Sequence, residues 1–168
     1  FKYNDAASLE KIFHDYPNQI AAVIIEPANE EKPKDNFLQT IKDLTHENGA
    51  IFIFDEMITG FRWALGGAQE YYGVIPDIAC FGKAISGGYP LSAICGREEY
   101  MSRFGEIFVS TTFNGYTPGL AAAIETISMM KEFGDVQKYM HSLGEHLISG
   151  GDKIAQQHNL PIEFIGYG

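Results

Sequence analysis

Cysteine is nearly missing from this chain, with two in 168 residues, Cys80 and Cys95. Both sit in apolar segments, so they read as small core residues of a reducing, cytoplasmic protein rather than as a disulfide framework. Basic residues are scarce as well: 12 Lys and Arg stand against 22 Asp and Glu, for a formal charge of -10. Such a balance speaks against a nucleic-acid backbone or an anionic membrane as partner, since both require a basic face. No apolar run approaches the roughly 18 residues of a membrane span. The amino terminus, FKYNDAASLE, has neither a signal peptide's apolar region nor a start methionine, which reads as an excerpt of a longer chain. His14, His46, His141, His146 and His158 show no metal-ligand spacing and read as solvated surface residues. Ser86 lies outside any nucleophile-elbow motif, and neither a dinucleotide fingerprint nor a phosphate-cradling P-loop is found.

What the chain does have is 45% hydrophobic and 13% aromatic residues, enough for one globular domain with a sizeable core. Residues 5–15 carry a helical pattern with Asp5 or Ser8 as N-cap. IAAVIIE (20–26) reads as a buried strand, and PANEEKPKDN after it as a polar loop. FLQTIKDLTHENG then places Phe37, Leu38, Ile41 and Leu44 on one helical face, with Gly49 as the stop. AIFIFDE, DIACFGK and LSAICG read as three further strands. The connection between the last two, containing SGGYP, is too short for a crossover helix, which predicts an antiparallel pairing in a mixed sheet. Residues 57–76 read as an irregular connection with a short helical turn near 69–72, and such loops are commonly functional. Pro118 suits the first turn of a helix ending at Gly134, a second helix spans about 135–157, and LPIEFIGYG opens a new apolar run.

Two residues carry the chemistry. Asp55 closes AIFIFDE and Lys83 closes DIACFGK, so both should emerge at the carboxyl edge of a parallel sheet, where open α/β sheets bind ligands. An acid and an amine facing one crevice suit pyridoxal 5'-phosphate: its aldehyde needs a lysine for a Schiff base, and its protonated pyridine nitrogen needs a carboxylate. A lysine desolvated on one side has its pKa lowered toward neutrality, as an imine-forming amine requires. Glu56 and Glu26 add acids at the same edge, and two adjacent carboxylates after an apolar run call for a cation, a pyridinium or Arg62. Thr111, Thr112, Asn114 and Gly115 precede a helix, where hydroxyls and backbone amides can hold a phosphate. Phe61, Trp63, Tyr71 and Tyr72 read as core packing that could also line a pocket.

IIEP (24–27), FDEMITGFR (54–62), GGAQEYYGVIPDIACFGKAISGGYPLSAICGR (66–97) and TTFNG (111–115) together resemble the class III pyridoxal-phosphate-dependent aminotransferases, most of all their glutamate-1-semialdehyde aminomutase branch. The resemblance implies a fold type I α/β large domain, a mostly parallel mixed sheet flanked by helices. Residues 1–168 would be its middle, without the amino-terminal region and the carboxyl-terminal small domain. It also implies that Lys83 holds pyridoxal 5'-phosphate, or pyridoxamine 5'-phosphate in the amine form, and moves a proton between substrate and cofactor carbons. Asp55 would pair with the pyridinium, and Met57 would pack on one ring face. Thr112 would bind the cofactor phosphate of the neighbouring subunit in a homodimer.

The partners so implied are a small-molecule amino donor and a carbonyl acceptor. ANEEKPKDN is shorter and more charged than the glycine-rich loop of the aminomutases, so transamination stands beside intramolecular amino exchange. A non-catalytic dimerising domain on the same scaffold would have no need of Lys83, Asp55 and Thr112 together. A nucleotide-binding α/β domain would need a glycine-rich first turn.

Overall fold

The four apolar runs pair into one sheet in the computed structural model, which describes residues 1–166. Strands β1 (Ala22–Ile25), β2 (Ile51–Glu56), β3 (Ile78–Phe81) and β4 (Ala93–Gly96) lie side by side in chain order. The first two pairings are parallel and the third is antiparallel, as expected. Between β3 and β4 the chain forms only one 3-10 turn, Lys83–Ser86, which cannot serve as a crossover helix.

The flanking helices follow the apolar spacing. Helix α1 (Ala6–Asp15) is capped by Asp5, whose carboxylate accepts the Ser8 N–H at 3.2 Å. Helix α2 (Phe37–Glu47) joins β1 to β2, and the five-residue α3 (Ala68–Tyr72) stands in the connection to β3. After β4 come α4 (Glu98–Met101) and a 3-10 turn, Ser102–Glu106, both too short to leave a periodic signal. Helix α5 (Thr117–Phe133), with Pro118 in its first turn, and α6 (Val136–Gln157) complete the order. Among the described residues no helix is long and apolar enough to cross a membrane.

The core forms on one face of the sheet. Val23, Ile25, Phe52, Phe54, Ala79 and Phe81 meet Leu9 and Phe13 of α1, Phe37, Leu38 and Ile41 of α2, and Ala123 of α5. Phe52 and Phe54 are fully buried, with rings 5.0 Å apart edge to face, and each contributes about 2–3 kcal/mol by leaving water. The reading of IAAVIIE as a buried strand holds for one face only. The alternate residues are open: Ile24 is 58% exposed and Ile94 46%, because the helices deliver their core side chains to the other side. Cys80 is accordingly only half-buried and Cys95, on the edge strand, is exposed, which corrects their reading as core residues.

The amino edge of the sheet is tied by Asp77, which is 2% exposed. Its carboxylate accepts the Phe52 N–H at 2.8 Å, bonds His46 Nε2 at 2.8 Å and meets Arg97 Nη1 at 3.2 Å. This joins α2, β2, β3 and the end of β4, so His46 is a structural partner rather than a free surface residue. At the other end of the chain, residues 160–166 form neither helix nor strand. The element expected to open at LPIEFIGYG is absent from that stretch, and Tyr167 and Gly168 lie outside the described residues.

Candidate functional site

Strand β2 delivers Asp55 and Glu56 to opposite faces of the sheet, since strand side chains alternate. Glu56 falls on the covered face with Phe52 and Phe54 and is fully buried. The cation expected beside it is not what meets it. Its Oε2 accepts the Thr59 hydroxyl at 2.5 Å and the Ala68 N–H at 2.8 Å, and its Oε1 accepts the Gln69 N–H at 2.9 Å, while Arg62 is exposed. Two of these donors are the first amides of α3, so the carboxylate caps that helix. Gly67 is required by this arrangement: a Cβ there would stand 2.6 Å from Glu56 Oε2, and φ is +84°.

Asp55 points to the open face and is half-buried. Its Oδ1 accepts the Met57 N–H at 3.0 Å, a local turn that fixes its rotamer and leaves Oδ2 for a second donor. Directly across in register lies Cys80, and burial together with the Asp55 carboxylate pushes the Cys80 thiol up.

Lys83 stands two residues beyond β3 rather than at its last position. After extended Gly82, it opens the 3-10 turn with φ +46°. A residue with a Cβ pays roughly 1–2 kcal/mol in this region, and such strain concentrates where a side chain must be held in one place. The turn is fixed from behind: Ser86 is fully buried and its hydroxyl donates to the Tyr89 carbonyl at 2.5 Å. Gly87 (φ +57°) approaches Thr126 Oγ1 of α5 so closely that a Cβ would lie 3.2 Å away. The glycines of SGGYP thus serve tight turning and close packing. Lys83 itself is exposed, so the one-sided desolvation expected of it is not provided by the described residues.

Met57 lies over the same spot. A Cβ on Gly82 would fall 2.9 Å from Met57 Sδ and nearer still to its Cε, so the absence of a side chain at 82 is what lets the thioether rest there. Asp55, Met57 and Lys83 therefore gather at one edge, tied through the Asp55–Met57 turn and the Met57–Gly82 contact. No hydrogen bond ties Thr112 to them among the described residues. It sits in an exposed loop with Thr111 and Asn114, beside a cavity of about 540 Å3 that Pro90, Leu91 and Ser92 also line. Glu26 is exposed beyond β1 and borders another cavity of about 800 Å3 with Glu30, Glu31 and Thr59.

The aromatic residues do both of the things open to them. Trp63 is buried edge to face against Tyr71 at 5.0 Å and His141 at 5.7 Å, and all three border an open cavity of about 750 Å3. Phe61 stacks on Phe81 at 5.6 Å with φ +63°. Gln137 and His141, one turn apart on α6, bond the Phe61 and Arg62 carbonyls, each at 3.0 Å. Sequence reasoning missed this clamp because its partners are 76 and 79 residues apart; it missed the Glu56 hub too, although the small residues at 66–68 were a signal of close approach.

With that geometry in hand, comparison with known proteins is informative. The family model for aminotransferase class-III matches residues 2–168. Glutamate-1-semialdehyde 2,1-aminomutase of Methanococcus maripaludis (strain C7) is 39% identical over 95% of this chain and 38% of its own length. The enzyme of that name from Alkaliphilus oremlandii is 41% identical over 91% of this chain and 38% of its own. Among solved structures, the pyridoxal-phosphate internal aldimine form of the Sphingopyxis sp. MTA144 FumI protein matches 95% of this chain and 40% of that one, with a TM-score of 0.87 and 31% identity. An omega-transaminase from Sphaerobacter thermophilus matches all of this chain and 40% of its own, with a TM-score of 0.84 and 29% identity. The chain thus spans about two-fifths of the length of the relatives it matches.

Proposed function

The chain belongs to the class-III aminotransferase family, and we propose that it is the cofactor-binding middle of a large domain that moves an amino group between an amino compound and an aldehyde or ketone. The observation that carries this reading is the strained Lys83, held beside Gly82 and Met57 at the edge where Asp55 keeps a free carboxylate oxygen. The cofactor is pyridoxal 5'-phosphate. Two features fit it: Gly82 lets the Met57 thioether rest beside the Lys83 turn, where it can cover a flat ring, and Asp55 Oδ2 is available to a pyridinium N–H.

Bound there, pyridoxal phosphate supplies an aldehyde for amines and a protonated ring that withdraws electrons from the reacting carbon. Lys83 Nζ would hold the aldehyde group and would carry a proton between substrate and cofactor carbons. Asp55 would pair with the ring nitrogen and keep it protonated. Met57, lying beside Gly82, would pack against the ring and keep water from it. Thr112, in the exposed loop before α5, would donate its hydroxyl to the cofactor phosphate of a second copy in a homodimer.

A second reading, intramolecular amino exchange, is supported by the names of the curated relatives. The two part on one requirement: transamination consumes a separate keto acid or aldehyde, and the exchange does not. The cofactor assignment is tested by borohydride reduction of the full-length protein loaded with pyridoxal phosphate, followed by peptide mapping. The label should appear on Lys83, and the visible band should vanish in Lys83→Ala. A band that survives in that variant, or label on another lysine, overturns the reading.

A further inference from the structure

Glu56 is the most buried acid in the site's neighbourhood, yet the proposed chemistry gives it no task. Its position explains why it is there. The carboxylate follows Asp55 and precedes Met57, and its three donors come from Thr59 and the start of α3. Its backbone carbonyl also accepts the Gly60 N–H at 2.9 Å. The segment that carries Met57 is therefore closed at both ends on this one residue: a turn at 56–60 on the near side, and the return of the chain at 67–69 on the far side. A buried carboxylate that accepts three bonds cannot release any of them cheaply, since the donors would be left unpaired away from water.

We propose that Glu56 is a positioning residue that fixes Asp55 and Met57 against Lys83 by pinning the 57–69 loop onto the covered face of the sheet. The proposal rests on the cofactor reading above. It assigns Glu56 no contact with cofactor or substrate: the side chain lies on the opposite face of β2 from Asp55 and acts through the backbone the two residues share.

The test uses the full-length protein and follows the pyridoxal phosphate dissociation constant and the pH midpoint of the visible band. In Glu56→Gln one amide N–H₂ must face a backbone N–H or the Thr59 hydroxyl, so the loop loses a charge-assisted bond. Affinity should fall about tenfold, in line with one such bond, and the pH midpoint should move. Thr59→Val removes one donor, retains the backbone amides, and should shift both readouts in the same direction by less; it also serves if Glu56→Gln does not fold. Asp77→Asn is the control for stability alone. It disturbs an equally buried carboxylate at the far edge of the sheet and should leave both readouts unchanged.

Asp55→Asn separates the two levels of the argument. If it moves both readouts while Glu56→Gln and Thr59→Val match the wild type, the positioning role is refuted and the cofactor reading stands. If Asp55→Asn is silent too, the cofactor reading falls and the positioning role with it. If Asp77→Asn moves the readouts as much as Glu56→Gln, the effect is general loosening and the proposal is refuted.

Discussion

Replacing Asp77 by Asn should be the most costly single-atom-scale change at the amino edge of the sheet. The carboxylate is 3% exposed and meets three partners, the Phe52 amide and His46 at 2.8 Å and Arg97 at 3.2 Å. An asparagine oxygen in the place of Oδ2 can keep the Phe52 amide and His46, while the amide group in the place of Oδ1 turns donors toward Arg97. Losing the charge on the bond to the Phe52 amide and leaving a buried amide group poorly met costs roughly 1.5–3 kcal/mol. The pairings with His46 and Arg97, whose side chains are 38% and 59% exposed, add little because water screens them. A loss of about 1.5–3 kcal/mol should move the urea midpoint by roughly 1 M. Arg97→Ala should move it far less.

The same residue sets an acid dependence. Burial alone would raise the Asp77 carboxyl, but the Phe52 amide, His46 and Arg97 outweigh it, and the pKa lies below the ordinary 3.8. The folded state therefore gives up its charge only at lower pH than the unfolded chain. The stabilisation is complete above the unfolded value, near 3.8, and is lost as pH falls through the lowered folded value. The gap between wild type and Asp77→Asn should narrow on acidification below about pH 4. An Arg97→Ala cost equal to that of Asp77→Asn, or a gap that widens in acid, would refute this account of the knot.

Two further outcomes follow from the open face and the glycine cradle. Iodoacetamide should alkylate Cys95 before Cys80, read by peptide mass spectrometry, because burial and the Asp55 carboxylate disfavour the Cys80 thiolate; the reverse order would contradict the placement of Asp55. Gly82→Ala should weaken pyridoxal phosphate binding by displacing Met57, and the loss should shrink when Met57→Ala is added, as a double-mutant cycle detects. Additive losses would mean that the two residues do not touch.

How much of this was legible in the sequence depends on the range of the interactions. The strands, α1, α2, α5 and α6 fall where periodicity, Asp5, Gly49 and Pro118 put them, because those signals are local. The antiparallel return of β4 was readable from the short SGGYP connection. The exposure of Ile24 and Cys95 was not: an apolar run looks the same whether one face or two are covered, as at Ile24, and whether its strand stands inside the sheet or at its edge, as at Cys95. Met57 over Gly82 and Gln137 on the Phe61 carbonyl depend on side chains meeting across 25 and 76 residues of chain. His46 looked like one more surface histidine, since nothing near it in sequence announces Asp77.

Acids at the two edges of the sheet show why one of them in particular is suited to bind a cation from outside. Asp77 and Glu56 are both buried, and each carboxylate already meets three partners supplied by the protein. With 2% and 0% of their surface exposed, neither can be reached by an outside cation unless the packing around it opens. Asp55 accepts only the Met57 N–H and lies half-buried on the face that the core does not cover. It keeps an acceptor oxygen, a rotamer set by a local turn, and enough burial to strengthen an ion pair relative to water. Burial of the other two acids thus steers any pyridinium toward Asp55, which lies on the open face beside Cys80 in the register of β2 and β3.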